Sequence, residues 1–239
     1  MNTQGELIYT GRTKQVFTTE NPELVIIHYK DDAFAYNGIK RAQITNKGAI
    51  NNKISANIFQ RLEKLGFNTH FIELLNDSEQ LCKRKEHIIQ LEFIVRNIAA
   101  GSMAKRLGLK AGTKLSTPVF EICYKNDELN DPLINEHHAV ALGLSTYKEL
   151  AEINTIVRRM NIELKNIFNS IGVIMVDAKF EFGRTADGTL VIADEISPDT
   201  MRLWDTKTLE SLDRDRFRKD LGRITEAYNE ILKRLESKV

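Results

Sequence analysis

Two acidic segments on either side of a short turn constrain the fold of this chain more than any other feature. The first spans residues 176–183 (VDAKFEFG) and the second residues 193–199 (ADEISPD). Asp187-Gly188 lies between them, and this dipeptide is preferred in two-residue hairpin turns because both of its positions need positive φ. If it forms such a turn, Glu181 lies directly opposite Asp194 on the neighbouring strand.

An opposed pair of carboxylates needs a physical explanation. Directly opposed residues in antiparallel strands have Cβ atoms about 4.5–5.5 Å apart, and like charges there are destabilising. A fold keeps Glu181 and Asp194 in such positions where a cation binds, and a divalent metal with oxygen ligands is the natural candidate. The alternative is a solvent-facing hairpin in which Lys179 pairs with the neighbouring carboxylates.

The strand pattern before the turn supports a sheet that leaves its core at one end. Side chains alternate between the two faces of a strand. One face of residues 173–182 is entirely apolar, and the other changes from apolar to charged halfway along: Val173 and Met175, then Asp177, Lys179 and Glu181. On the second strand, Leu190 and Ile192 precede Asp194 with the same parity. Both strands therefore are expected to pass from the core into a cleft at the same level.

Length and composition bound the class of protein. A chain of 239 residues with 42% hydrophobic residues and a formal net charge of +1 suits one large domain or two lobes around a shared cleft. The balanced charge favours no nucleic-acid partner, and no apolar run of about 18 residues predicts a membrane span. Cys82 and Cys123 are isolated, as is typical of reduced thiols. We expect a soluble, cytoplasmic protein with neither nucleic-acid nor membrane partners.

The order of predicted elements indicates an α+β fold with antiparallel sheets, because strands dominate the first third of the chain. Strands are predicted at residues 7–9, 15–17, 24–29, 71–75, 80–84, 88–98 and 118–124, and helices at residues 47–65, 102–107, 146–171 and 213–235. Residues 32–40 are predicted to be irregular, with a turn at Asn37-Gly38. We expect an N-terminal β-rich lobe at residues 1–85 and a C-terminal α+β lobe at residues 86–239.

Two basic positions are candidates for anion binding. The loop Gly11-Arg12-Thr13-Lys14 can fold over phosphates with its cationic side chains and backbone N–H groups, although a plain surface hairpin has the same pattern. Arg96 precedes a run of small residues and Ser102, where a helix begins and favours anions. Ser102 has the alternative role of a helix N-cap. Arg202 is a second guanidinium able to bind phosphate or carboxylate through two hydrogen bonds.

With these motifs in place, the chain resembles the SAICAR synthetase family of de novo purine synthesis over essentially its whole length. The motifs that carry the resemblance are residues 11–14 (GRTK), 51–53 (NNK), 95–97 (VRN) with 99–102 (AAGS), 125–127 (KND) with 131–132 (DP), 176–183, 194–199 and 202–205 (RLWD). The resemblance implies a small, antiparallel β-rich nucleotide-binding lobe and a larger α+β lobe, related to ATP-grasp and kinase-like folds. It also implies a homodimer.

The resemblance further implies the reaction. ATP, L-aspartate and 5-amino-1-(5-phospho-D-ribosyl)imidazole-4-carboxylate (the carboxylated ribonucleotide) give SAICAR, ADP and phosphate. ATP phosphorylates the imidazole carboxylate, and the aspartate amine then displaces phosphate from this acyl phosphate. ATP is a co-substrate, and Mg²⁺ on its phosphates is the implied metal.

Site residues carry over position by position. The resemblance assigns Mg²⁺ to Glu181 and Asp194, the ATP phosphates to Lys14 and Arg12, and the adenine to Val16 and Val25. Arg12 stands where the family frequently has lysine, which keeps the charge but changes its geometry. The remaining implied residues serve the substrates: Arg96, Ser102, Arg202 and Asp131 for the ribonucleotide, and Lys179, Asp177 and Asp199 for the chemistry.

Two other functions remain open from the sequence. Another ATP-dependent carboxylate–amine ligase on the same scaffold would keep Lys14, Glu181 and Asp194 and differ around Arg96, Ser102 and Arg202. A nucleotide-binding protein without enzymatic activity would bind ATP and turn over no substrate pair. Release of ADP in the presence of aspartate and the carboxylated ribonucleotide distinguishes the expected activity from both.

Overall fold

The computed structural model describes residues 3–36 and 38–238. In chain order its strands are β1 (Leu7–Thr10), β2 (Lys14–Thr18), β3 (Leu24–Tyr29), β4 (Asp32–Ala35), β5 (Lys40–Gln43), β6 (Phe71–Asn76), β7 (Glu79–Lys83), β8 (His87–Ile88), β9 (Leu91–Ile98), β10 (Lys114–Tyr124), β11 (Leu133–Ile134), β12 (Val173–Arg184), β13 (Leu190–Ala193) and β14 (Met201–Asp205). Its helices are α1 (Lys47–Lys64), α2 (Gly101–Arg106), α3 (Glu136–Ala141), α4 (Tyr147–Ser170), α5 (Asp215–Arg218) and α6 (Ile224–Glu236). None of the described helices is both long and apolar enough to cross a membrane. The predicted α+β class is confirmed.

The chain forms two compact units. Unit 1 contains Met1–Ile88, Phe182–Asp199 and Leu212–Val239, and unit 2 contains Ile89–Glu181 and Thr200–Ser211. This division differs from the expected continuous lobes at 1–85 and 86–239, because the chain returns to unit 1 twice after leaving it. The sequence has no local signal for these returns, because they depend on packing between distant segments of the chain.

Unit 1 is built on an antiparallel sheet in the order β1-β2-β3-β7-β6. Val25 and Ile27 of β3 lie on one face with Cys82 of β7, and Val16 of β2 packs against this apolar cluster. Val16 lies directly opposite Ile27. The apolar alternation in these strands therefore produces a continuous hydrophobic surface, as expected for strands with one buried face.

Helices α1 and α6 pack together in unit 1. Ile54, Ile58 and Leu62 of α1 are fully buried, as their four-residue spacing predicts for one helix face. The single helix predicted at 213–235 is wrong, because the chain is interrupted between α5 and α6. Asp220, Gly222 and Arg223 have positive φ there, and left-handed backbone ends a right-handed helix.

The predicted hairpin after β12 is confirmed, but its predicted register is wrong. The N–H of Thr185 donates to the carbonyl of Thr189, which leaves three residues in the loop. Gly188 has φ +82° whereas Asp187 does not have positive φ, which matches a three-residue hairpin with glycine in the left-handed position. Asp194 follows the end of β13 and has φ +61°, so it lies beyond the strand in which it was predicted to pair.

The segment predicted to be irregular at residues 32–40 instead contains strand structure. Strands β4 and β5 pair in an antiparallel hairpin, with Asp32 opposite Gln43 and Ala35 opposite Lys40. The four residues 32–35 (DAFA) form too short a run for alternation of apolar and polar side chains to distinguish a strand from a loop. Asn37, the first residue of the predicted Asn37-Gly38 turn, lies outside the described residues.

Unit 2 contains neighbouring strands in the order β11-β10-β9-β12, with β14 pairing on the other edge of β12. All these pairings are antiparallel. Helix α4 contacts β9 and buries one apolar stripe, which includes Ile153, Leu164 and Phe168. The sheet and the long helix thus form two layers around the core of this unit.

His70 makes the stability of unit 1 dependent on pH. Its ring is fully buried beside Phe59. Burial, followed by the charge of Lys85, lowers the pKa of His70 well below its ordinary value, and Asp194 only partly opposes this effect. The unfolded chain therefore binds a proton below about pH 6.5 that the folded chain does not, so stability falls as pH falls below that value, by up to about 1.4 kcal/mol per pH unit for one group.

We expect His70→Gln to remove this contribution. Urea unfolding at pH 7.5 and 5.5 should show a smaller loss of unfolding free energy in the variant than in the wild type. His137→Gln, which changes an exposed histidine, serves as the control and should keep the wild-type difference. Equal pH dependence in His70→Gln and the wild type would contradict the assignment.

Candidate functional site

The centre of unit 2 holds two arginines that share one carboxylate. Oδ2 of Asp177 accepts hydrogen bonds from Nη1 of Arg96 at 3.1 Å and from Nη1 of Arg202 at 2.6 Å. All three residues are at most 9% exposed. Guanidinium groups are suited to phosphate or carboxylate ligands, because they bind either through two parallel hydrogen bonds.

Strand register explains this grouping. On β12, Asp177 pairs directly with Arg96 of β9 on one side and with Arg202 of β14 on the other. Directly opposed side chains of opposite charge stabilise an antiparallel pair. Three residues separated widely in the sequence thus meet in one row across three strands. The structure brings together Arg96 and Arg202, both predicted to bind the ribonucleotide, and Asp177, predicted to serve the chemistry, and these roles stay predictions.

Ser102 is part of the same group but is not a helix N-cap. The N-cap of α2 is Ala100, without a side-chain hydrogen bond, and Ser102 lies inside the helix. Oγ of Ser102 accepts a hydrogen bond from Nη2 of Arg96 at 3.2 Å. The alternative reading of Ser102 as a plain cap is therefore wrong, and its hydroxyl instead contacts the guanidinium.

Gly101 provides the space that Arg202 occupies. It has φ +54°, and a Cβ built on it would lie 2.3 Å from Nη2 of Arg202. We expect Gly101→Ala to lower the free energy of unfolding by about 2 kcal/mol, because left-handed strain of about 1 kcal/mol adds to the displacement of the guanidinium. Chemical denaturation measures the loss.

Gly108→Ala is the matched control for this prediction. Gly108 also has positive φ, at +65°, but nothing lies within 4 Å of the position that a Cβ would take there. It should show the backbone strain without the steric displacement. Equal losses in the two variants would contradict a steric role for Gly101.

A second group in unit 2 surrounds Glu181. Oε1 of Glu181 accepts from Nζ of Lys179 at 2.5 Å, and Oε2 accepts from Nζ of Lys125. Lys179 also donates to Oε1 of Glu92 at 2.9 Å. Each oxygen of Glu181 therefore faces a lysine. Sequence reasoning assigned no role to Lys125 or Glu92, although Lys125 opens one of the motifs that support the family resemblance.

Asp131 shapes a loop in unit 2. Its Oδ1 accepts the backbone N–H of Asn126 at 2.9 Å, and Asp131 itself has φ +47°. The side chain of Asn126 in turn accepts from the N–H groups of Glu128 and Leu129. One carboxylate oxygen of Asp131 thus stabilises this turn, and its substrate-binding role stays a prediction.

In unit 1, Lys14 lies between two carboxylates. Its Nζ is 2.7 Å from Oδ1 of Asp194 and 2.5 Å from Oε1 of Glu195, and it lies over the ring of Tyr29. Burial alone would lower the pKa of Lys14, but Asp194 and Glu195 raise it well above its ordinary value. Lys14 is therefore a fixed positive charge. Glu195 was not predicted as a site residue, although it directly follows Asp194.

The other predicted nucleotide residues lie in the same unit. Val16 and Val25 belong to or pack against the apolar cluster of the five-stranded sheet. Arg12 is exposed in the loop that connects β1 and β2, two residues before Lys14. The structure thus brings a basic loop and an apolar sheet face into one unit, which is the combination that a nucleotide's phosphates and base require.

Asp199 is held by three side chains of unit 1. Oδ2 accepts from Nζ of Lys47 at 2.5 Å and from Nδ2 of Asn51 at 2.9 Å, while the hydroxyl of Tyr228 donates to Oδ1 at 2.7 Å. Burial alone would raise the pKa of Asp199, but Lys47 lowers it below its ordinary value. The carboxylate is therefore charged and fixed, and its predicted catalytic role stays a prediction. Lys47 and Tyr228 had no signal in the sequence.

The predicted metal ligands, Glu181 and Asp194, offer carboxylate oxygens. Among residues 3–36 and 38–238, no group of three or more histidine, cysteine, aspartate or glutamate residues forms a cation site. Mg²⁺ is commonly bound by only one or two carboxylates together with substrate phosphates and water. Glu181 and Asp194 each offer oxygen atoms of this kind, so their chemistry fits Mg²⁺ better than a metal that needs a complete protein cage.

Comparison with known proteins decides the family. The sequence profile of SAICAR synthetase matches residues 7–235 of this chain. The chain belongs to the SAICAR synthetase family. A phosphoribosylaminoimidazole-succinocarboxamide synthase from Fusobacterium nucleatum is 58% identical over 235 residues, which cover 98% of this chain and 99% of that protein.

Solved structures of SAICAR synthetases have the same fold. The crystal structure of the synthase from Ehrlichia chaffeensis superposes with a TM-score of 0.94 at 43% identity and covers 97% of this chain and 98% of that one. A SAICAR synthetase in complex with ADP superposes with a TM-score of 0.93 at 42% identity and covers 98% of each chain. The predicted family and its α+β fold are confirmed.

Proposed function

We propose that this chain joins L-aspartate to the carboxylated ribonucleotide, with conversion of ATP to ADP and phosphate, as a cytoplasmic enzyme of purine synthesis. The observation that carries the proposal is membership of the SAICAR synthetase family over residues 7–235. The buried row of Arg96, Asp177 and Arg202 supports it, because one of the substrates carries a phosphate.

ATP binds to unit 1 in this proposal. Lys14 and Arg12 contact the phosphates, and Val16 and Val25 flank the adenine. The raised pKa of Lys14 supports a permanently cationic partner for a triphosphate. The relative crystallised with ADP supports a nucleotide as co-substrate here.

Glu181 and Asp194 are the proposed Mg²⁺ ligands. Bound to these oxygens and to ATP, the ion would neutralise phosphate charge. Both carboxylates are ion-paired with lysines in this structure, Glu181 with Lys179 and Lys125 and Asp194 with Lys14.

Arg96, Ser102 and Arg202 bind the phosphate of the ribonucleotide in this proposal, and Asp131 contacts the same substrate. The guanidinium groups of Arg96 and Arg202 are suited to a phosphate as ligand, because each can donate two hydrogen bonds to one anion. Asp177 holds the guanidinium groups in place.

The reacting groups are positioned chiefly by charge. Lys179 neutralises negative charge near the imidazole carboxylate, while Asp177 and Asp199 orient the imidazole substrate and the incoming amine. The carboxylate must be activated because it is a poor acyl donor, and transfer of phosphate to one of its oxygens creates a leaving group. We further propose a homodimer, by resemblance to the family.

Isotope transfer tests the proposed reaction. With ¹⁸O in the carboxylate of the ribonucleotide, one labelled oxygen should appear in the released phosphate, because the acyl phosphate retains that oxygen at its P–O bond when the amine attacks the carbonyl carbon. Mass spectrometry of phosphate measures the label, and unlabelled substrate in ¹⁸O-water is the control. ADP release only with acids other than this ribonucleotide would favour a different carboxylate–amine ligase.

A further inference from the structure

Glu121 is a buried carboxylate that sequence analysis did not assign to the site. It lies on β10, two residues from the direct partner of Arg96, which is Val119. Such diagonal neighbours lie on the same sheet face within reach of long side chains. Oε2 of Glu121 accepts a hydrogen bond from Nε of Arg96 at 2.7 Å, and Oε1 accepts from Nη2 of Arg106. Only 8% of the Glu121 side chain is exposed.

Glu121 completes the support of the Arg96 guanidinium. Nε contacts Glu121, Nη1 contacts Asp177 and Nη2 contacts Ser102. A planar group held at each of its three nitrogens has one orientation. Without the contact at Nε, the guanidinium could tilt about the line that joins Nη1 and Nη2 while it kept its other two partners.

The charges around Arg96 separate two possible roles of Glu121. Three arginines (Arg96, Arg106 and Arg202) and two carboxylates (Asp177 and Glu121) alternate in this group. If Glu121 only balanced charge, its neutralisation would strengthen the binding of an anion. If it orients Arg96, its neutralisation would weaken the binding of an anion, because a neutral amide oxygen accepts from Nε less strongly than a carboxylate does.

We propose that Glu121 is a positioning residue for the phosphate of the ribonucleotide and acts through Nε of Arg96. The inference rests on the proposed function, in which Arg96 contacts that phosphate. Arg106, whose side chain is 38% exposed, neutralises the second oxygen of Glu121 and does not hold Arg96. Glu121 thus determines how strongly a phosphorylated substrate binds, without contacting the substrate itself.

The test compares Glu121→Gln with Arg106→Gln. Glu121→Gln should raise the KM for the carboxylated ribonucleotide about tenfold, which corresponds to about 1.4 kcal/mol, while the KM values for ATP and aspartate stay within about twofold. Arg106→Gln removes the positive charge that pairs with the other oxygen of Glu121. It leaves the contact between Glu121 and Nε of Arg96, so the KM for the ribonucleotide should change by less than about threefold.

Ribose 5-phosphate provides a readout that needs no turnover. Its dissociation constant, measured by calorimetry, should rise in Glu121→Gln by about the same factor as the ribonucleotide KM. An unchanged or tighter constant would overturn the positioning role, as would an equal loss in Arg106→Gln. The proposed reaction is tested separately by wild-type turnover, so an inactive wild type that still binds ribose 5-phosphate would count against the reaction and not against the role of Glu121.

Discussion

Glu181→Gln is expected to reduce turnover on the order of 10²–10³-fold, the usual cost of removing one preorganised electrostatic contact from an active site. The amide preserves the size of the side chain but removes a negative charge and one oxygen from the proposed Mg²⁺ site. ATP binding should consequently need a higher Mg²⁺ concentration. Initial rates and nucleotide binding, each measured as a function of Mg²⁺ concentration, provide two independent readouts.

Glu92→Gln is the matched control. Glu92 and Glu181 both accept a hydrogen bond from Lys179, but only Glu181 is a proposed metal ligand. Glu92→Gln should therefore leave the Mg²⁺ dependence of ATP binding unchanged. If both variants shifted the Mg²⁺ dependence of ATP binding equally, the cause would be the loss of a negative partner of Lys179, and the metal assignment would be wrong.

Glu181→Gln should not stabilise the protein. If Glu181 directly opposed Asp194, removing the negative charge of Glu181 would relieve repulsion and stabilise the folded protein. In the structure each oxygen of Glu181 instead faces a lysine. The pair with Lys125, which is 35% exposed, contributes little. The pair with Lys179 is largely buried, with side chains 17% and 8% exposed, and removing one partner of a buried pair is destabilising. We therefore expect a net loss of unfolding free energy, measurable by thermal or urea unfolding.

Arg202→Ala is expected to raise the KM for the ribonucleotide by roughly 10–10²-fold, because hydrogen bonds to charged groups contribute about 1.5–3 kcal/mol each. The KM for ATP should change by less than about threefold. Steady-state kinetics with each substrate varied in turn measure the two constants. Equal increases for both substrates would argue against a ribonucleotide role for Arg202.

Two further variants test why the KM for the ribonucleotide rises in Arg202→Ala. Arg202→Lys keeps the charge but loses the planar geometry, so it should recover only part of the affinity. Arg158→Ala removes another arginine of unit 2, which lies over the ring of Phe120 at 4.2 Å and outside the buried row. It should leave the ribonucleotide KM near the wild-type value.

The sequence was informative where structure depends on neighbours along the chain. Strand β3 and helix α1 follow directly from their apolar periodicity, and the hairpin after β12 follows from Asp187-Gly188. In these cases alternation and turn chemistry are local, so the printed residues suffice to predict them.

The errors arose where a single residue changes the outcome. One extra residue in the loop after Thr185 shifts the register, and a one-residue shift moves side chains to the other face of a sheet. Positive φ at Gly222 and Arg223 divides a helix that its amphipathic pattern had made continuous. Composition and spacing do not contain these backbone angles.

By itself the sequence determined the fold class and the family, and it predicted the residues of the proposed site. The tertiary structure alone decided which partners hold them: Glu121 on Arg96, Lys125 on Glu181, and Lys47 and Tyr228 on Asp199. These partners come from distant segments, with Lys47 and Asp199 separated by 152 positions. The physical reason is that periodicity describes which face a residue occupies, whereas pairing between distant charges depends on how the faces pack and how much water they exclude.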